Sequence, residues 1–174
     1  MTGPEAALLA DKDGRRLDRR TVVVFAVAVV LLIVFEYWGL PQSIAGTSFH
    51  AGLAEALGPG YAPYFDLVPY QYWGISSLVL RVLVPLAVVV LVLRESPREW
   101  GWRFPRAWRH TWPYVIFFVV MVPVLLGASL PGSFQRKYPF YDGASAGGWH
   151  FWGFQLFYGL QFLGVEAFFR GFLL

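Results

Sequence analysis

Residues 21–40, TVVVFAVAVVLLIVFEYWGL, run for fifteen positions before the first charge, Glu36. A helix needs about 20 mostly apolar residues to cross a bilayer. The chain supplies that pattern again at residues 72–93, 112–130 and 149–174. Hydrocarbon offers no partner to a backbone N–H or C=O, so segments of this kind fold as helices. The expected fold class is all-α: a polytopic transmembrane helix bundle with four spans in this chain. A soluble domain carries about 25% charged residues, whereas here 14% are charged, 57% hydrophobic and 19% aromatic. With no cysteine, the chain has no disulfide, thiolate nucleophile or zinc–thiolate site. A cleaved signal peptide is the competing reading of the first segment. It has the basic flank, but SIAG at 43–46 is a poor cleavage sequence, and the later spans favour a retained helix. Pro85 and Pro123 are expected to kink the second and third spans.

Basic residues stay on the cytoplasmic side of a membrane protein, and they set the direction of the bundle. Lys12, Arg15, Arg16, Arg19 and Arg20 precede the first span, and residues 41–71 contain no Lys or Arg. Arg94, Arg98, Arg103, Arg106 and Arg109 fall in 94–111, and Arg136 and Lys137 in 131–148. This alternation places the N-terminus in the cytoplasm and sends the fourth helix from outside to inside. Residues 1–20 read as a disordered, basic cytoplasmic tail, and residues 21–174 as the transmembrane bundle. Tyr37, Trp38, Tyr70, Tyr72, Trp73, Trp112 and Trp149 stand near the span ends, where an aromatic belt belongs. In the first loop Phe49, Leu53 and Leu57 share one helical face, the pattern of a short helix lying on the membrane. The second loop interleaves Arg with Trp. Pinned between two spans, that mixture suits anionic lipid headgroups rather than nucleic acid. Membrane lipids are expected partners; nucleic acid is not. The sequence shows no internal repeat.

A charge at mid-bilayer costs roughly 2.5–3.5 kcal/mol on insertion scales, so each charged residue within a span needs a reason. Glu36 lies about 22 Å from the inner end of the first span at 1.5 Å per residue, which makes it a headgroup-level carboxylate beside Tyr37 and Trp38. Arg81, mid-way along the second span, is expected to pair with Glu36 or to snorkel. Counted from Trp149, Glu166 lies about 25 Å and Arg170 about 31 Å down the fourth helix. Glu four residues before Arg is the favourable order for a helical ion pair. Gln155, eleven residues before Glu166, returns to within about 20° of the same face. Trp152, Gly159 and Phe162 lie close to that face too. The resulting polar and aromatic stripe is expected to face a bundle interior or a wet cavity. Its blander reading is a self-neutralising pair that orders helix packing.

The segment VEAFFRGFLL at 165–174 resembles the first motif of the CPBP family of intramembrane proteases (CAAX proteases and bacteriocin-processing enzymes, also called Abi proteins). That motif is two adjacent glutamates, three residues, then arginine, commonly followed by glycine. Glu166 matches the second glutamate, Arg170 the arginine and Gly171 the glycine. The preceding YGLQFLG and the trailing GFLL are also similar to the family, and three spans come before the motif, as they do there. Val165 stands where the family carries the first glutamate, usually treated as catalytic. The later motifs, histidines and an asparagine or aspartate on following helices, have no counterpart. His50 lies in the outer loop, His110 at the inner end of the third span, and His150 about 24 Å along the helix from Glu166. The resemblance therefore implies an N-terminal fragment of a longer family member, its domain incomplete. It further implies a membrane-embedded endopeptidase acting on a membrane-associated protein or peptide substrate. Glu166 is then the general base on a water and Arg170 its supporting ion-pair partner. The resemblance leaves metal dependence open, with a divalent ion as the candidate cofactor, and it implies a bacterial inner membrane as the location. Two rivals stand beside this reading. One is a catalytically inactive scaffold or partner-binding homologue, suggested by Val165. The other is a small transporter subunit with Glu166 as a proton relay, disfavoured by the lack of a repeat.

Overall fold

The computed structural model describes residues 18–100, 111–138 and 140–173, and among them every regular element is helical. The basic tail before Asp18 and the Arg/Trp segment 101–110, His110 included, lie outside the described residues. Helix α1 covers Arg19–Trp38 and starts two residues before the apolar run. Asp18 explains that start: its carboxylate accepts a hydrogen bond from the Arg20 backbone N–H at 3.3 Å and caps the first turn. Helix α2, Ser48–Ala56, is the short helix expected in the first loop, capped by the Thr47 hydroxyl. Phe49, Leu53 and Leu57 meet Tyr72, Ile75 and Trp149 around an apolar groove of about 490 Å³.

The second apolar segment is longer than its expected 72–93. A 3₁₀ stretch, Pro59–Leu67, leads directly into α3, Val68–Leu78. The run continues through π-helical turns at Val79–Leu83 and Val88–Leu93, which flank the single α turn Val84–Ala87. Pro85 lies in that central turn, with no N–H to donate and a ring that crowds the preceding turn. The wider π turns on either side give the chain room around it. Arg94, at φ 57°, adopts the left-handed conformation and closes the run. Helix α4, Trp112–Ser129, passes Pro123 without interruption. Helix α5, Gly148–Glu166, enters through Gly147 at φ 72° and ends in a π-helical turn, Ala167–Phe172.

Among the described residues three helices are long and apolar enough to cross a membrane: Arg19–Trp38, Pro59–Leu93 and Trp112–Ser129. Helix α5 is not among them. Its surface is built from Trp, Tyr, Gln and Gly as much as from aliphatic residues, which lowers its mean hydropathy.

Packing centres on the seam between α3 and α5, and glycine makes that seam close. A Cβ at Gly74 would stand 2.5 Å from the Phe157 carbonyl oxygen, and one at Gly164 would run into the Ser77 hydroxyl. Ser77 in turn donates to the Gln161 carbonyl at 3.2 Å. Helices whose surroundings are as apolar as themselves associate through this kind of small-residue contact. Helix α1 joins the seam through its C-terminal end, where Tyr72 donates to the Trp38 carbonyl and Ser76 to the Gly39 carbonyl at 2.8 Å. At the other end of α1, Val24, Ala28 and Leu31 pack in one cluster with Val89, Trp100, Phe168 and Phe172. Thus α1 runs antiparallel to the other two, and the α3 and α5 runs point the same way. We call the Arg20–Trp100–Phe172 end arginine-rich. The opposite, tyrosine-rich end has its own cluster of Leu67, Tyr141, Ala144 and Phe154. Helix α4 buries none of its residues.

Candidate functional site

Glu166 is the last residue of α5 proper, and Arg170 lies in the π turn that follows. Their side chains form the expected pair, Arg170 Nε to Glu166 Oε2 at 3.0 Å. The pair does not face the bundle interior. Phe168 and Phe172 are buried in the core on the opposite side of the turn, while the side chains of Glu166 and Arg170 are 55% and 78% exposed. Trp152, Gln155, Gly159 and Phe162 are exposed as well, so the whole stripe expected to line an interior is turned outward. The reason lies on the other side of α5. Gly153, Phe154 and Gly164 are buried, and the glycines let the backbone approach α3 more closely than the bulky stripe would.

Arg170 opens onto a groove of about 620 Å³ at the arginine-rich end, lined also by Asp18, Arg20, Glu99, Trp100 and Phe172. One wall is a chain of stacked and paired groups. The Trp100 indole stacks on the Phe172 ring at 5.8 Å, and the Arg20 guanidinium lies over the indole at 4.3 Å. Trp100 Nε1 donates to Glu95 at 2.7 Å, and Arg20 pairs with the same carboxylate at 3.4 Å. The start of α1 and the segment after Arg94 are thereby fastened onto the turn that carries Arg170. The ion pair is partly exposed and contributes little by itself, about 0–1 kcal/mol; the ring contacts contribute about 0.5–1.5 kcal/mol each beyond area burial.

Chemically, Glu166 offers a carboxylate that can accept a proton, and Arg170 fixes which way it points. A divalent ion does not fit this arrangement. Glu166 brings a single carboxylate with a guanidinium on it, and among the described residues no group of three or more His, Asp or Glu side chains is placed to hold a metal.

Of the two arrangements expected for Arg81, pairing with Glu36 or snorkelling, the structure does not show the ion pair. The Arg81 guanidinium instead lies 3.6 Å above the Phe35 ring, and its Nε and Nη1 are buried without an acceptor among the described residues. The two described histidines, His50 and His150, lie at the tyrosine-rich end. His50 is buried with both ring nitrogens engaged: Nε2 donates to the Phe65 carbonyl at 3.0 Å, and Nδ1 accepts from the Gly46 N–H at 3.3 Å. His150 joins the Tyr141 hydroxyl through Nδ1 at 2.6 Å. Both line a second groove, of about 670 Å³, with Asp66, Tyr70, Tyr141 and Asp142. Nothing in the sequence spacing announces that groove, because its residues come from three segments far apart in the chain. No known family, curated protein or solved structure matches the chain.

Proposed function

We propose that the chain belongs to a membrane-embedded endopeptidase of the CPBP type, cleaving a membrane-associated protein or peptide, with Glu166 as general base and Arg170 as the group that orients it. The observation that carries this reading is the 3.0 Å Arg170–Glu166 pair where α5 passes into its π turn, with Arg170 lining an open groove. A carboxylate locked inside the α3–α5 seam would meet neither water nor substrate. One on the outer face of α5, paired with a guanidinium that lines the groove, is accessible to both. In this reading the chain crosses a bacterial inner membrane four times with its N-terminus in the cytoplasm, α5 being the fourth span. The parallel course of the α3 and α5 runs supports that alternation, and the arginine-rich end is then the cytoplasmic one.

The test uses the full-length protein in detergent and a labelled peptide substrate. Glu166→Gln keeps shape and hydrogen bonding but cannot serve as a carboxylate base, so cleavage falls by about 10²–10⁴-fold, the usual share of general-base catalysis. Val165→Glu restores the family's first glutamate and raises the rate. Val165 also favours a second reading, a catalytically silent scaffold. Cleavage that is undetectable with or without Val165→Glu, alongside a cellular role that survives Glu166→Gln, establishes the scaffold and removes the protease.

A further inference from the structure

The groove at the tyrosine-rich end is assembled from α2 and its approach, the stretch around Phe65–Tyr70, and the segment Phe140–His150. Its volume of about 670 Å³ is in the range of small-molecule sites. The walls are aromatic. Phe65 stacks on the buried His50 ring at 4.0 Å, and Tyr70 and Tyr141 meet at 5.2 Å, with Phe140 beside them. The walls are also fixed. Tyr70 donates to the Phe140 carbonyl, Tyr141 is held by His150, and His50 has both nitrogens engaged. Asp66 and Asp142 are exposed members of the lining, and among the described residues neither is in an ion pair and no Lys or Arg lines the groove. Arg136 and Lys137, a few residues before Phe140, are outside the lining. Burial pushes the Tyr141 phenol up from its ordinary value, and Asp66 adds to that effect. The carboxylate field therefore reaches the wall.

We propose that this groove binds a small alkylammonium group, its cation over the tyrosine rings and its N–H donors on Asp66 and Asp142. Aromatic faces attract a cation by about 0.5–2 kcal/mol depending on desolvation, and two carboxylates without competing bases add directional acceptors. A metal ion is the poorer occupant, since the described His, Asp and Glu side chains form no ligand set of three. An alkylammonium in this place comes either free from solution or as the headgroup of an ethanolamine lipid. The proposal is independent of the Glu166 chemistry.

The experiment titrates the full-length protein with ethylammonium chloride, followed by saturation-transfer NMR, with potassium chloride as the control. Ethylammonium binds and potassium does not displace it. Asp66→Asn with Asp142→Asn weakens binding about tenfold, the effect of about 1.4 kcal/mol lost between two exposed carboxylates. Glu55→Gln, which removes a charge from α2 outside the lining, leaves it unchanged. Melting curves of the variants show that the fold is kept. In nanodiscs, phosphatidylethanolamine that blocks ethylammonium where phosphatidylglycerol does not identifies the lipid headgroup as the occupant. Equal binding in both identifies a free amine. An unchanged affinity in the double aspartate variant, or displacement of ethylammonium by potassium, overturns the proposal.

Discussion

Arg81 shows how a guanidinium is tolerated deep in an apolar run. Side chains on a helix lean toward its N-terminus, and in the α3 run that direction leads from mid-helix toward Phe35 and the tyrosine-rich end. The long stem lets the charge climb that way, as a snorkelling side chain does, and it comes to rest on an aromatic face rather than on Glu36. The contact is not fully compensated, because Nε and Nη1 lack acceptors among the described residues. A double-mutant cycle isolates what the ring contributes. Phe35→Leu destabilises the protein more when Arg81 is present than in an Arg81→Leu background, by about 0.5–2 kcal/mol of coupling, read from melting in detergent. Strict additivity would show that the ring merely fills space. Glu166 and Arg170 differ from Arg81 in having each other, and their exposure makes the pair a local device rather than a pillar of the fold.

At the scale of elements, the α3–α5 seam depends on positions that carry no side chain. Gly74→Ala places a methyl against the backbone of Phe157, which cannot swing aside as a side chain would, and costs about 1–3 kcal/mol as an overpacked contact. Gly159→Ala, on the same helix as Phe157 with nothing within 4 Å, stabilises α5 by about 0.5–1 kcal/mol through backbone entropy. The two melting temperatures in detergent move in opposite directions; a shared direction refutes the seam as drawn. This contrast also explains what the sequence could tell. The helices themselves were legible, since a run such as VVVFAVAVVLLIVF has one stable conformation in hydrocarbon. The Glu166–Arg170 pair was legible from its spacing. Which side of α5 faces inward was not. Helix α5 is apolar or aromatic nearly all round, so periodicity carries little phase, and the polar stripe was a weaker determinant than Gly153 and Gly164. The 3₁₀ stretch Pro59–Leu67 was masked by two prolines and a glycine, which read locally as a loop. The tyrosine-rich groove depends on contacts between distant segments that no local pattern encodes.

For the whole molecule, the arrangement has a polarity that can be measured. Ten of the fourteen basic residues lie before the first span or in 94–111, and the described part of both regions meets at one end through Arg20, Glu95 and Trp100. Single cysteines at Ser96 and at Ser133, in a chain with none of its own, should label with an impermeant maleimide from opposite faces of the membrane. Labelling from the same face contradicts the four-span topology. Helix α4 has a separate consequence. No residue of it is fully buried, so tertiary contact contributes little to its place in the bundle. In the four-span reading its place is set largely by partitioning into lipid. In that reading an altered residue along α4 is felt more at insertion, where the chain threads or does not, than in the packing of the helices that follow.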